Sequence, residues 1–361
     1  MKEGVLHYDY HKHYKLKTSK YSFVRKGLSG LYNLGNKCYM SSILQCLSHT
    51  YQLTDYLLSG DYKSDDIEQL NKRKPEYMLL ISYVQLLIKL WEKNQIVKPK
   101  FFIIHLSELN KKYADNDQQD SHEFLMHFLS FLHKALSYEI QVDIKGEIKD
   151  ESDALMKASH EQWKQFYEKS YSALIEMFHG LTLNKIKCNQ CNTSDNVFEP
   201  YNTLELNIHE ESTSLSECLD EYFKNNEMIQ NWNCEKCQHT SCTKSTFAWT
   251  FPNHVIIHLK RFNNNGNKIS TVIDFPFDEL NLTHYLSKEK NDPNNYIYTL
   301  YAINYHMGSA KAGHYWSVCK NLDDNWYLLN DGHVSQYQKV TEVQKKDAYI
   351  LFYHRKMIAP S

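Results

Sequence analysis

Proline and glycine are scarce in this chain, 7 and 11 residues out of 361, and no stretch is dense enough in them or in serine to read as an interdomain linker. No internal repeat is visible. One unit with insertions is therefore expected. The chain also lacks any apolar run near the ~18 residues that a membrane-spanning helix needs, and residues 1–30 hold no uninterrupted apolar stretch of the kind a secretion signal carries. The expectation is an intracellular protein of cytoplasm, nucleus or both, without membrane contact. Excess charge of one sign is missing too: 41 Lys and Arg face 43 Asp and Glu, a formal charge of −2. That balance removes any whole-molecule electrostatic case for nucleic acid or an anionic membrane. One basic stretch is residues 1–26, with Lys2, Lys12, Lys15, Lys17, Lys20, Arg25 and Lys26 against Glu3 and Asp9; it reads as a solvated arm. The nine cysteines do not look like a disulfide framework, because two C-x-x-C pairs and one Cys beside a helix start point to metal and thiol chemistry in a reducing compartment.

What is present is enough apolar residue, 42% of the chain, to bury a sizeable core. The first half carries the helical period. Met40, Ile43, Leu44 and Leu47 recur at i, i+3, i+4 and i+7, Tyr77–Leu90 and Phe124–Leu136 continue the pattern, and Trp163, Phe166, Tyr167, Tyr171 and Leu174 add a further helix. The second half changes period. Val255, Ile257 and Leu259 alternate with Ile256, His258 and Lys260, while Tyr298–Tyr305, His314–Cys319, Trp326–Asn330 and Ala348–Tyr353 are short and rich in β-branched or aromatic residues. The predicted class is α+β, a helical lobe followed by a sheet lobe, with a cleft at their join.

Asn33-Leu34-Gly35-Asn36-Lys37 leads with turn formers into the helix that Met40 to Leu47 define, so Cys38 is placed at a helix N-terminus. Unpaired backbone N–H groups and the helix dipole favour negative charge there and lower a thiol's pKa. The same N–H groups can face an oxyanion, with Asn33 as a side-chain donor from the preceding loop. A buried structural Cys fits the position equally well.

Gly313-His314-Tyr315-Trp316-Ser317-Val318-Cys319 and Trp326-Tyr327-Leu328-Leu329-Asn330-Asp331 read as a hairpin. With the turn centred between Leu322 and Asp323, His314 faces Asp331 and neighbours Asn330, at the roughly 5 Å Cα separation that lets a side chain fix the imidazole tautomer. A change of one residue in register exchanges the faces, so spacing leaves Asn330 and Asp331 both open as the orienting residue. Either completes a Cys–His–Asn/Asp thiol hydrolase.

Cys188-Asn-Gln-Cys191 and Cys234-Glu-Lys-Cys237 are paired knuckles. Four thiolates fill a tetrahedral zinc and leave no open position, so the expected site is structural; no catalytic cofactor is expected. The long stretch between the knuckles must hold structure of its own, and His239 or Cys242 can compete as a ligand. In Gln118–Phe124, Asp120 with Glu123 fits an N-cap and its N3 carboxylate.

Together these segments resemble the ubiquitin-specific protease family over residues 27–355. Gly30–Met40 is similar to its Cys box, Gln118–Phe124 to its acidic helix motif, Gly313–Val318 and Trp326–Asp331 to its His box, and Leu259–Phe262 and Ala348–Tyr353 to further strands. The resemblance implies a papain-like fold with a helical thumb (about 27–175), zinc-binding β fingers (about 181–250) and a β-sheet palm from the remainder, flanked by the arm 1–26 and a tail 356–361. It implies Cys38 as nucleophile on the carbonyl of ubiquitin's terminal glycine, His314 as base, Asn330 as orienter with Asp331 assisting, and Asn33 with the Cys38 N–H at the oxyanion. Asp120, Glu123 and Tyr315 would meet the ubiquitin tail, and Asn263–Asn267 and Met307–Gly313 would flank the cleft as loops. The implied partners are ubiquitin and ubiquitinated proteins, with the chain acting as a monomer. Three positions depart from the family pattern: Lys37 where Thr is common, Ser41 where Asn is usual, and Asn330 in place of the more frequent Asp. The alternatives are a ubiquitin-binding scaffold with weak catalysis and a protease for another ubiquitin-like modifier; a zinc-ribbon nucleic-acid module fails, since residues 181–250 show no basic stripe.

Overall fold

The computed structural model describes residues 26–63, 71–263, 265–290, 292–309, 312–337 and 345–356. The basic arm up to Arg25, Asn264, Ala310, Lys311 and residues 357–361 of the tail lie outside them. Helices α1 (Cys38–Ser48), α2 (Tyr51–Ser59), α3 (Pro75–Glu92), α4 (Lys100–Leu109), α5 (Ser121–Leu136), α6 (Glu151–Tyr167) and α7 (Ala173–Phe178) precede the main sheet, and α8 (Leu215–Lys224) lies among the strands. Every residue of α1 is buried, as expected of a helix packed on all sides. The aromatic run from Trp163 to Leu174 is not one helix: Tyr171 bridges to Tyr138 between α6 and α7, so the chain turns where the period alone suggested continuity.

Strands β1 (Gly30–Leu31) and β2 (Ile96–Val97) pair in parallel. Strands β3 (Gly180–Cys188), β4 (Ser194–Tyr201), β6 (Asn226–Gln230) and β7 (Ser241–Thr250) form a four-stranded sheet ordered β4-β3-β7-β6. Between β4 and β6 the chain leaves this sheet: β5 (Leu204–Asn207) joins the eight-stranded sheet beside β8 (His254–Lys260). That larger sheet also holds β9 (Leu280–Asn281), β10 (Ile297–Gly308), β11 (Gly313–Lys320), β12 (Trp326–Asn330), β13 (His333–Tyr337) and β14 (Ala348–Arg355), ordered β13-β12-β11-β10-β14-β8-β5 with β9 on β10.

One core joins the helices to the sheet, through Tyr39, Met40, Phe124 and Phe128 on the helical side and Ile256, Ala302, Cys319 and Phe352 on the sheet. The opposite face of the sheet packs on α8 through Leu215, Leu219 and Phe223. A buried polar relay pins the two lobes. Ser121 Oγ donates to Asn304 Oδ1 at 2.8 Å, and Asn304 Nδ2 donates to Ser42 Oγ at 2.8 Å. Helices α5 and α1 are thereby tied to β10, which carries β11 and its histidine on the next ladder, with Met307 opposite His314. Such a fully satisfied buried relay fixes one arrangement of the elements.

Candidate active site

The turn before α1 runs through two left-handed residues, Gly35 (φ 85°) and Asn36 (φ 49°), types suited to that conformation. A Cβ on Gly35 would also stand 2.7 Å from the Asn116 side chain. Cys38 follows as the first residue of the helix, 3% exposed. Lys37, read only as a departure from the family pattern, is buried at 3% exposure. Its Nζ donates to the carbonyls of Tyr113, at 3.0 Å, and Asp115, so it staples the turn before Cys38 to the loop that leads to Gln118.

His314 Nε2 lies 2.7 Å from Asn330 Oδ1, which leaves Nδ1 for the hydrogen bond the ring makes with Cys38. Burial pushes the Cys38 thiol up, but the His314 bond, the Tyr315 backbone N–H and the Gln118 amide outweigh it, and the net shift is downward. The His314 imidazole moves up to about 9, through its bond to Cys38 against the cost of burial, with Asn330 adding to the rise. The two shifts run in the directions that favour a thiolate beside an imidazolium.

The hairpin register differs by one residue from the sequence expectation. Ser317 pairs with Leu329 and Lys320 with Trp326, so the turn centres on Asp323. Continued outward, that register puts His314 and Asn330 on one face. Asp331 leaves the strand at φ 49°, and the Asn330–His333 pair closes a two-residue turn of Asp331 and Gly332. Asp-Gly is a favoured pair for such turns, a signal the strand pattern obscured. Asp331 therefore faces Asn33: Asn33 Nδ2 donates to Asp331 Oδ2 at 3.0 Å, while Asn33 Oδ1 accepts from the Lys37 N–H at 3.0 Å.

Gln118 is the site residue that the sequence reading named only as part of a motif. Its Oε1 accepts from the Gly313 N–H at 2.7 Å, its Nε2 donates to the Gly313 carbonyl, and the same nitrogen lies 3.5 Å from Cys38 Sγ. Gly313 is needed where it is, because a Cβ would fall 2.3 Å from His306 Nε2. The loop before it is closed by the Ser309 N–H on the Ala312 carbonyl at 2.8 Å. The Asn263–Asn267 loop is organised by Asn263 Oδ1, which accepts from the N–H groups of Asn265 and Asn267 at 3.0 Å each.

Asp120 caps α5, its Oδ1 accepting from the N–H groups of His122 and Glu123 at 2.8 and 3.0 Å, and its Oδ2 accepts from the Tyr349 hydroxyl at 2.5 Å. The Glu123 side chain turns outward to Lys112. Tyr315 is only 4% exposed, with its hydroxyl on Ser121.

The four knuckle cysteines converge. Cys188 and Cys237 Sγ are 3.6 Å apart, as are Cys191 and Cys234, and all four sulfurs lie within 4.8 Å of one another. Asn192 and Gln238, each just after a knuckle, take φ of 59° and 61°, which folds the chain back and turns N–H groups toward the sulfurs: Cys191 and Gln190 on Cys188, Thr193 on Cys191, His239 on Cys237. The donor set fits a tetrahedral metal ion. His239 and Cys242 stay outside this cluster; Cys242 is buried opposite Cys188 in the β3–β7 ladder.

The family model described as ubiquitin carboxyl-terminal hydrolase matches residues 29–353. The chain belongs to this family. It is 33% identical over 353 residues to ubiquitin carboxyl-terminal hydrolase Usp2 of Drosophila melanogaster, covering 95% of this chain and 36% of that protein. With ubiquitin carboxyl-terminal hydrolase 2 of Homo sapiens it shares 29% over 343 residues, covering 91% of this chain and 55% of the relative. It thus spans between about a third and just over half of these curated relatives. Among solved structures, the SAGA DUB module of Ubp8, Sgf11, Sus1 and Sgf73 bound to monoubiquitin superposes with a TM-score of 0.71 at 25% identity, over 93% of this chain and 71% of that one. The same module bound to ubiquitin aldehyde gives 0.71 at 26% identity, over 94% and 71%. Among the described residues no helix is long and apolar enough to cross a membrane.

Proposed function

We propose that the chain is a deubiquitinase that hydrolyses the peptide or isopeptide bond at the C-terminal glycine of ubiquitin, with Cys38, His314 and Asn330 as its triad. The observation that carries this reading is the hydrogen-bonded series from Cys38 through His314 to Asn330, with the sulfur at a helix N-terminus. The Cys38 thiolate attacks the glycine carbonyl carbon, and the π electrons move to the oxygen. The Cys38 backbone N–H and the second Nδ2 hydrogen of Asn33 receive that oxyanion, with Asp331 holding the amide in place. As the tetrahedral intermediate collapses, the C–N bond breaks and the imidazolium gives its proton to the departing amine. Water then adds to the thioester while neutral His314 takes its proton, and the thiolate leaves.

Asp120 and Glu123 serve the basic tail of ubiquitin, Glu123 by exchanging Lys112 for a tail cation, and Tyr315 supports the floor beneath it. The bound metal is Zn2+, held by Cys188, Cys191, Cys234 and Cys237, where it fixes the far end of the four-stranded sheet. The division into thumb, fingers and palm follows, with β5 assigned to the palm. The test is turnover of ubiquitin carrying a fluorogenic amide at its C-terminus. The parent is expected to release the fluorophore and His314→Ala to lose about 10²–10⁴-fold in rate; a folded, zinc-loaded parent without turnover overturns the reading.

A further inference from the structure

Away from the Cys38 centre, two more imidazoles and a carboxylate converge where the lobes meet. His122, in the first turn of α5, and His258, on β8, are 9% and 8% exposed. Their rings lie face to face, with centroids 3.9 Å apart and planes 19° from parallel. Among protein groups, His122 Nε2 and His258 Nε2 lack a hydrogen-bond partner, and His258 Nδ1 has only the Glu205 carboxylate beside it. Buried polar atoms are normally satisfied, so two orphans in one place call for a ligand. Glu205, directly opposite His258 in the parallel β5–β8 ladder, puts Oε2 3.7 Å from His258 Nδ1 and keeps its own side chain 53% exposed. One donor atom from each of the three residues lies within 4.8 Å of the others, and Glu205 gives a path in from solvent.

We propose that His122, His258 and Glu205 form a second metal site, for a borderline divalent cation such as Zn2+, that clips the helical lobe to the sheet. Two imidazoles and a carboxylate suit Zn2+, with a water in the fourth position. Bonds of ~2.1 Å put tetrahedral donors roughly 3.4 Å apart, so binding draws the three side chains together by rotation of the stacked rings. The site differs from the cysteine cluster in being open on one side, and the ion there is exchangeable. Its effect reaches the cleft through Tyr349, whose ring meets His258 edge-on at 4.8 Å and whose hydroxyl holds Asp120. Drawing His122 toward β8 shifts the cap of α5, and with it the Asp120 and Glu123 carboxylates.

The binding test stands on geometry alone. A Cys38→Ala chain, its cysteine cluster already filled, is titrated with Zn2+ by calorimetry. One further equivalent is expected, absent in His258→Gln and weakened at least tenfold in Glu205→Gln, whose exposed position leaves the fold intact. No further equivalent in the parent, or unchanged binding in Glu205→Gln, overturns the proposal. The second arm rests on the proposed deubiquitinase activity: added Zn2+ is expected to raise KM for ubiquitin-amide hydrolysis in the parent and not in Glu205→Gln. Equal inhibition of both overturns the link to the cleft, while a parent that binds the ion yet never turns over counts against the hydrolase reading alone.

Discussion

The side-chain amide of Asn33 donates to the Asp331 carboxylate at 3.0 Å, across the whole length of the chain between them. Asn330, one residue earlier, faces the other way onto His314. Two successive residues thus bond to Asn33 and to His314 on two sides of the same centre. Asn33→Ala is expected to lower kcat by about 10²–10³-fold, the usual loss for one oxyanion donor, while Cys38 alkylation by iodoacetamide keeps its rate. Asp331→Ala acts through Asn33, so the double variant should lose little more than Asn33→Ala; additive losses would show that Asp331 does something else.

The alkylation rate of Cys38 should be flat across neutral pH and change on the alkaline side near 9, where His314 loses its proton. The His314 pKa is raised on folding, so its share of stability is fully present below the ordinary histidine value and disappears as pH rises through about 9. Cys38→Ala removes the largest cause of the rise. An NMR titration of His314 in that variant should move back toward the ordinary value; a pKa still near 9 would show that Asn330 and Asp331, not the thiolate, hold the proton. Asn330→Asp adds a charge beside the ring and is expected to push the alkaline limb higher.

Gln118 grips both the N–H and the carbonyl of Gly313, the residue before His314. Gln118→Ala should reduce kcat by loosening His314 while leaving the melting temperature within a few degrees. Retained turnover would show that the β10–β11 ladder alone sets the histidine. Gly313→Ala is expected to be worse, because its Cβ would meet His306 and the Met307 carbonyl at 2.3 and 2.6 Å.

Asn304 is wholly buried and satisfied by Ser42 and Ser121. Asn304→Ala leaves both serine hydroxyls without this partner, and leaving a buried polar group unsatisfied typically costs about 1–3 kcal/mol. Urea denaturation measures it. Because the relay ties α1 to α5 and β10, turnover should fall further than stability does.

Much of this was legible in the chain because the chemistry sits at element ends. Turn formers before Cys38, paired knuckles, and the cap at Asp120 are local signals, and each appears where the spacing placed it. The choice between Asn330 and Asp331 was not, since it depended on a hairpin register that one residue of turn length reverses, and the Asp-Gly turn decided it. Lys37 and Gln118 were unreadable for another reason: their partners, Tyr113, Asp115 and Gly313, are distant in sequence and are brought in only by packing. The departure of β5 from the knuckle-bearing sheet was hidden likewise, because a four-residue strand has little period to show.

Chelation tests the cysteine cluster. Stripping metal, or Cys234→Ser, is expected to lower the melting temperature and unfold β3, β4, β6 and β7 first, seen as loss of their amide-exchange protection. Protection unchanged after verified metal loss would make the cluster dispensable.

The central claim is that Cys38 is a nucleophile aimed at the end of ubiquitin. Intact mass after incubation with ubiquitin bearing a thiol-reactive group at its C-terminus tests it most directly, with Cys38→Ala alongside. A one-to-one adduct on the parent and none on the variant is the predicted result; an unmodified parent that is folded and zinc-loaded, or an adduct that persists without Cys38, would contradict it.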